Sequence, residues 1–72
     1  MRLSIIGFGV MGERLTRAAL DFDPAIVELA GVWDPSATQM ERLGAELPNA
    51  PKLASAEAAV AEADCVYIAS PP

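Results

Sequence analysis

Six residues near the start of the sequence have the types and the spacing of a phosphate-binding turn. They form the pattern G-x-G-x-x-G and are Gly7, Phe8, Gly9, Val10, Met11 and Gly12. The first glycine permits a tight turn, the second has no Cβ to block a pyrophosphate, and the third lets a helix pack closely on a strand. Backbone N–H groups at a helix start can hold a diphosphate without a basic side chain. We therefore predict that these six residues bind a dinucleotide.

A carboxylate follows the glycine pattern at the distance that such a site requires. Asp34 lies 22 positions after Gly12, and dinucleotide sites have an acid about 20 residues on. Its carboxylate can accept hydrogen bonds from both ribose hydroxyls, and its charge would repel a 2'-phosphate. No Arg or Lys lies between Pro35 and Glu41 to neutralise that phosphate, so the sequence favours NAD over NADP. The alternative is that the glycines form a structural turn and Asp34 is a solvated acid or a cap.

The residues around the pattern alternate between strand-like and helix-like segments. The apolar, strand-like runs are residues 2–7, 26–33, 64–69 and a very short one at 52–54. The amphipathic, helix-like segments are residues 10–22, a second that follows the turn at 34–36, and a third that Ser55 caps. In the first helix, the apolar spacing predicts an inner face of Met11, Leu15, Ala18, Ala19 and Phe22.

This alternation predicts the fold class. Strands that alternate with helices form βαβ units, and these give a parallel sheet with right-handed crossovers and helices on both faces. The predicted fold is α/β and Rossmann-like, with the elements β-α-β-α-β-α-β and the strand order 3-2-1-4. A sheet that is covered on both faces also accounts for an apolar fraction of 53%.

Composition excludes several classes of site and partner. The chain has 72 residues and a net charge of -5, and its few Arg residues are scattered, so we expect no nucleic-acid partner. No apolar stretch approaches the roughly 18 residues of a membrane span. Histidine is absent, which removes Ser-His and Cys-His nucleophiles and the commonest zinc ligand, so no metal site is expected. Cys65 is expected to be buried, and a single thiol without a secretory signal fits the cytoplasm.

The residues Ala69-Ser70-Pro71-Pro72 add a second motif to the glycine pattern and Asp34-Pro35. With these motifs, the whole chain resembles the amino-terminal region of the glucose-fructose oxidoreductase / inositol dehydrogenase (Gfo/Idh/MocA) family, whose fourth strand typically ends in Ala-Thr-Pro-Pro. The resemblance implies that this segment lies against the cofactor near the nicotinamide, with Ser70 and Pro71 as its cofactor-binding residues. It also implies that residues 1–72 are a partial dinucleotide-binding domain, truncated after strand four. The family's catalytic lysine, aspartate and histidine come later, so no catalytic residue is expected here.

The resemblance implies that the parent protein transfers hydride between a nicotinamide cofactor and a sugar, polyol or similar small alcohol. Activity is assigned to the parent, because the chain itself lacks the family's catalytic residues. The alternatives are a glycosidase that uses NAD for transient oxidation, a non-catalytic dinucleotide sensor, and a structural fragment that binds nothing tightly. The uncovered edge of the last strand, at residues 65–69, is expected to pair with another chain, which predicts a homo-oligomer or edge-strand association.

Overall fold

The computed structural model describes residues 1–69, and over this range it contains three strands and three helices. The elements are β1 (Arg2–Ile6), α1 (Val10–Asp21), β2 (Glu28–Trp33), α2 (Ala37–Glu46), α3 (Ala56–Glu62) and β3 (Cys65–Ile68). Each of them lies in a segment for which the sequence predicts the same type of structure. The α/β class is therefore confirmed, with one predicted strand missing.

The three strands form one parallel sheet in the order β2-β1-β3. In its register, Ile6 at the end of β1 lies opposite Trp33 of β2 on one side and Ile68 of β3 on the other. Because all strands run in the same direction, their carboxyl ends meet at one edge of the sheet. The residues that follow the three strands are thereby brought together at that edge.

The prediction of a third strand at residues 52–54 is wrong, and the four-strand order 3-2-1-4 is not shown. This segment makes one isolated parallel bridge, between Lys52 and Val32. Val32 N–H donates to the Pro51 carbonyl and Leu53 N–H donates to the Val32 carbonyl, each at 3.0 Å. Pro51 has no N–H with which to extend the ladder, and the chain turns into α3 soon afterwards. Pairing therefore stops after a single residue.

The core joins the sheet to the glycine pattern. Ile5 of β1, Val32 of β2 and Leu43 of α2 are fully buried, and so is Phe8, which lies inside the G-x-G-x-x-G loop. Full burial of a side chain of this size contributes about 1.5–3 kcal/mol. Phe8 therefore anchors the loop to the hydrophobic core.

The inner face of α1 differs from the one that the apolar spacing predicts. The buried residues of α1 are Gly12, Thr16 and Ala19, whereas Met11 is 56% and Phe22 51% exposed. Gly12 lets the helix approach β1 closely, and Thr16 satisfies its buried hydroxyl by donating to the Gly12 carbonyl at 2.7 Å. The small size of the residues at the contact between α1 and the sheet therefore determines which face of the helix is buried.

The outer edge of the sheet is open at β3. Cys65 is an exposed free thiol, which contradicts the prediction that it is buried. The reason is that β3 pairs on one side alone within residues 1–69, with β1. In this same range, no helix has the length and apolar character that are needed to cross a bilayer.

Candidate functional site

The carboxyl ends of the three strands frame an open cleft of about 380 Å³. Gly7 follows β1, Asp34 follows β2 and Ala69 follows β3. Their backbone positions are held by bonds across the sheet edge: Gly7 N–H donates to the Trp33 carbonyl at 2.7 Å, and Ala69 N–H donates to the Ile6 carbonyl at 2.8 Å. Among the described residues, the cleft is lined by Gly7, Gly9, Asp34, Pro35, Ser36, Gln39 and Ala69.

Each glycine of the pattern meets a different physical requirement. Gly7 has a φ of 110°, which side-chain-bearing residues rarely adopt. A Cβ on Gly12 would lie 1.9 Å from the Gly7 carbonyl oxygen, so only glycine fits where α1 crosses the loop. A Cβ on Gly9 would have no atom of the described residues within 4 Å. The open space beside the Gly9 backbone is therefore where a bulky anion can approach the chain.

The amino end of α1 lies directly behind this space. Gly9 is the N-cap of α1, and no side chain of residues 1–69 caps the helix, whereas Ser36 and Ser55 cap the other two. The first N–H groups of a helix have no partner within the helix, and its amino end carries a partial positive charge. The start of α1 can therefore donate hydrogen bonds to phosphate oxygens.

Asp34 connects two loops of the cleft through its carboxylate. Its Oδ2 accepts a hydrogen bond from Phe8 N–H at 2.7 Å, and its Oδ1 accepts one from Ser36 N–H at 2.8 Å. The capping role that the sequence left open is therefore real. Each carboxylate oxygen has further lone pairs, so Asp34 can cap these loops and still accept hydrogen bonds from a ligand's hydroxyls.

The cleft brings together some of the sequence-predicted site residues and not others. Gly7, Gly9 and Asp34 line it. Phe8 and Gly12 are buried beneath it, and Val10 and Met11 are exposed but are not part of its described lining. Ser70 and Pro71 lie outside the described residues.

Four lining residues were not among the predicted site residues: Pro35, Ser36, Gln39 and Ala69, of which Ala69 does belong to the segment that the resemblance places against the cofactor. Three of them lie in the turn after β2 and the first turn of α2. The sequence could have indicated these three residues, because residues that directly follow Asp34 at the carboxyl edge of a parallel sheet must lie beside it.

An arginine on α2 contacts the underside of the glycine loop. Arg42 Nη1 lies 2.6 Å from Glu13 Oε1 on α1, and Nη2 donates to the Phe8 carbonyl at 2.5 Å. Hydrogen bonds from Arg42 and then from Arg17 hold the pKa of Glu13 below its usual value. The same pair raises the pKa of Arg42. Both groups are therefore charged at neutral pH.

Comparisons with known proteins agree with this geometry. A family model described as Gfo/Idh/MocA, "Oxidoreductase family, NAD-binding Rossmann fold", matches residues 1–72. Two crystal forms of UDP-N-acetylglucosamine 3-dehydrogenase GnnA from Acidithiobacillus ferrooxidans superpose with a TM-score of 0.77 at 35% identity, over 99% of this chain and 22% of that one. An NAD-binding protein from Listeria innocua superposes with a TM-score of 0.77 at 32% identity, over 97% of this chain and 20% of that one.

The chain thus spans about a fifth of the length of these structures. A search of curated proteins finds no match.

Proposed function

We propose, because the chain belongs to the Gfo/Idh/MocA oxidoreductase family, that it forms the NAD-binding part of a dehydrogenase of sugars, polyols or similar small alcohols. The observation that carries the proposal is a single cleft in which the open backbone at Gly9 and the carboxylate of Asp34 lie together. The first can bind a pyrophosphate and the second a ribose. These are the two groups that every nicotinamide dinucleotide presents.

The residues of the cleft fit NAD. The backbone at Gly9 and the amino end of α1 would hold the pyrophosphate, since no Cβ blocks the approach and no side chain caps the helix. Asp34 would accept hydrogen bonds from the ribose hydroxyls. When bound, NAD supplies the hydride-transfer chemistry, and the chain contributes binding and orientation.

The charges around Asp34 favour NAD over NADP. Asp34 itself would repel a 2'-phosphate, and residues 35–41 include no Lys or Arg. Arg42, the first basic residue after them, forms ion pairs with Glu13 and Glu46. Its charge is therefore already neutralised.

Calorimetric titration of the chain with NAD and with NADP tests this proposal. We expect NAD to bind more tightly by about tenfold or more, which corresponds to about 1.4 kcal/mol of repulsion and lost hydrogen bonding. Gly9→Ala is the control: a Cβ there meets no atom of residues 1–69 within 4 Å, so the fold should be kept, but the methyl group enters the space of the pyrophosphate and should weaken binding of both. Equal affinity for the two cofactors would refute the preference, and a folded chain that binds neither would refute the proposed function.

The substrate class rests on family membership and on one structural neighbour. GnnA is named as a UDP-N-acetylglucosamine 3-dehydrogenase and resembles almost the whole of this chain. A sugar-type alcohol is therefore the substrate class that we propose for the full-length protein. The catalytic groups of the full-length protein would come from residues outside this chain, since the chain spans about a fifth of the length of its structural neighbours.

We also propose that the isolated chain associates with itself through the edge of β3. Ile68 is 68% exposed on this strand, and within residues 1–69 the outer edge of β3 has no strand paired to it. We further propose that the protein resides in a reducing compartment such as the cytoplasm, because Cys65 is an exposed free thiol.

Sedimentation velocity over a range of concentrations measures this self-association. Ile68→Lys is expected to reduce it, because a lysine at a strand edge opposes pairing with another strand. Val60→Lys is the matched control: Val60 is 62% exposed, but it lies on α3. A clean wild-type monomer at high concentration, or an equal effect of both substitutions, would contradict edge pairing.

A further inference from the structure

One residue outside the cleft contacts both of its sides. Arg42 lies on α2, is 31% exposed in its side chain, and is not among the described residues that line the cleft. On the basis of the contacts below, we propose that Arg42 is a positioning residue that holds the glycine-rich loop and Gln39 in register for NAD. This inference deepens the proposed function and rests on it.

The first contact fixes the orientation of the Phe8–Gly9 peptide in the glycine-rich loop. Arg42 Nη2 donates to the Phe8 carbonyl at 2.5 Å, and its guanidinium carbon lies 4.5 Å from the centroid of the buried Phe8 ring. The Phe8–Gly9 peptide is trans, so the Gly9 N–H points opposite to that carbonyl, away from Arg42. Because Gly9 lines the cleft, the bond that holds the carbonyl also determines the direction of this donor.

The other end of Phe8 is held at the same time. Its N–H donates to Asp34 Oδ2 at 2.7 Å, while its carbonyl accepts from Arg42. Both backbone polar groups of the residue between Gly7 and Gly9 thus have charged partners, and hydrogen bonds to charged groups are the stronger kind. The loop is therefore ordered before any cofactor arrives.

The second contact fixes the orientation of the Gln39 side-chain amide on the other side of the cleft. Arg42 Nε donates to Gln39 Oε1 at 2.9 Å. A guanidinium can only donate, so the oxygen of the Gln39 side chain must face it, and the NH₂ group remains available. Gln39 lines the cleft together with Asp34. Arg42 thereby presents an amide donor beside the proposed ribose acceptor.

The role of Arg42 depends on its shape rather than on its charge. Glu13 at 2.6 Å and Glu46 at 3.3 Å neutralise the guanidinium. The planar fork allows Nε, Nη1 and Nη2 to bond to separate partners, whereas a lysine ammonium is a point charge that cannot reproduce this geometry. A lysine in this position is therefore expected to fail.

The experiment compares Arg42→Lys and Arg42→Met with wild type, and Arg14→Met is the control. Arg14 is exposed and forms no ion pair within residues 1–69, so its removal changes the net charge alone. We expect both Arg42 variants to weaken NAD binding about tenfold in calorimetry. They should also shift the NMR resonances of the Gly9 backbone amide and the Gln39 side-chain amide. Arg14→Met should leave both readouts unchanged.

Two outcomes would overturn the inference. If Arg42→Lys retains wild-type affinity, charge and not geometry is what matters. If Arg42→Met lowers the melting temperature but leaves NAD affinity and both amide resonances unchanged, Arg42 only joins α1 to α2. Should Arg42→Met not fold, Arg42→Lys decides the question.

A wild-type chain that binds no NAD would refute the proposed function and leave the positioning role testable. Displaced Gly9 and Gln39 resonances in the ligand-free variants would then still support it, and unchanged resonances would refute it.

Discussion

Replacing Gly12 with alanine is expected to destabilise the chain by about 2 kcal/mol or more, a large part of its total stability. A Cβ at this position would lie 1.9 Å from the Gly7 carbonyl oxygen and 2.8 Å from its carbon. Both are backbone atoms, so no rotamer change relieves the clash, and α1 must move away from β1. Overpacking of this kind costs about 3 kcal/mol or more, and the gain of about 1 kcal/mol in helix propensity offsets only part of it. A chain of this size is stable by roughly 4–10 kcal/mol.

Thermal unfolding followed by circular dichroism measures this effect, and Gly9→Ala is the matched control. Gly9 has an ordinary φ of -78° and open space at its Cβ position, so this variant should melt close to wild type. The two substitutions add the same methyl group three residues apart. Equal melting temperatures for Gly12→Ala and Gly9→Ala would show that the contact between α1 and the loop tolerates a side chain.

Replacing Asp34 with alanine is expected to weaken NAD binding about 100-fold, since hydrogen bonds to a charged group contribute about 1.5–3 kcal/mol and 1.4 kcal/mol is a factor of ten. Two effects combine in this loss. The ribose loses its acceptor, and Phe8 N–H loses the carboxylate that orders the glycine loop. The stability of the chain should fall as well, by about 1 kcal/mol. Calorimetry gives the affinity, and denaturant unfolding gives the stability.

Asp64→Ala separates these two effects. Asp64 Oδ2 accepts a hydrogen bond from Arg2 N–H at 2.9 Å, so it is also an aspartate that bonds to a backbone amide, but at the opposite edge of the sheet. This control should lose stability and keep its NAD affinity. If both aspartate variants bind NAD as wild type does, Asp34 is a cap for the loops and has no role toward the ribose.

The glycine spacing and the acid after β2 predicted three of the residues that line the cleft, Gly7, Gly9 and Asp34. The turn needs a positive φ at Gly7, a close approach at Gly12 and an open backbone at Gly9. These requirements leave few alternatives to glycine. These are local requirements, so they are visible in the sequence. The parallel sheet was predictable for the same reason, because strands that alternate with helices must run in the same direction.

The sequence could not show which apolar residues are inside. The spacing in α1 placed Met11 and Phe22 on the inner face, yet the helix packs on the sheet through Gly12 and Thr16. Apolar periodicity reflects hydrophobicity alone. The contact between α1 and the sheet instead requires small residues and a Thr16 hydroxyl that has a hydrogen-bond partner. Cys65 was assigned to the interior because its strand is apolar, but within the described residues β3 has a neighbour on one side only.

The sequence by itself therefore determined the fold class, the glycine loop and the acid after β2, because each follows from local backbone geometry or from the order of elements along the chain. The tertiary structure alone decided that residues 52–54 form a single bridge and that Arg42 reaches the Phe8 carbonyl and Gln39. Arg42 and Phe8 are 34 residues apart. A contact at this separation depends on how α2 packs against the loop, and no local pattern encodes that distance.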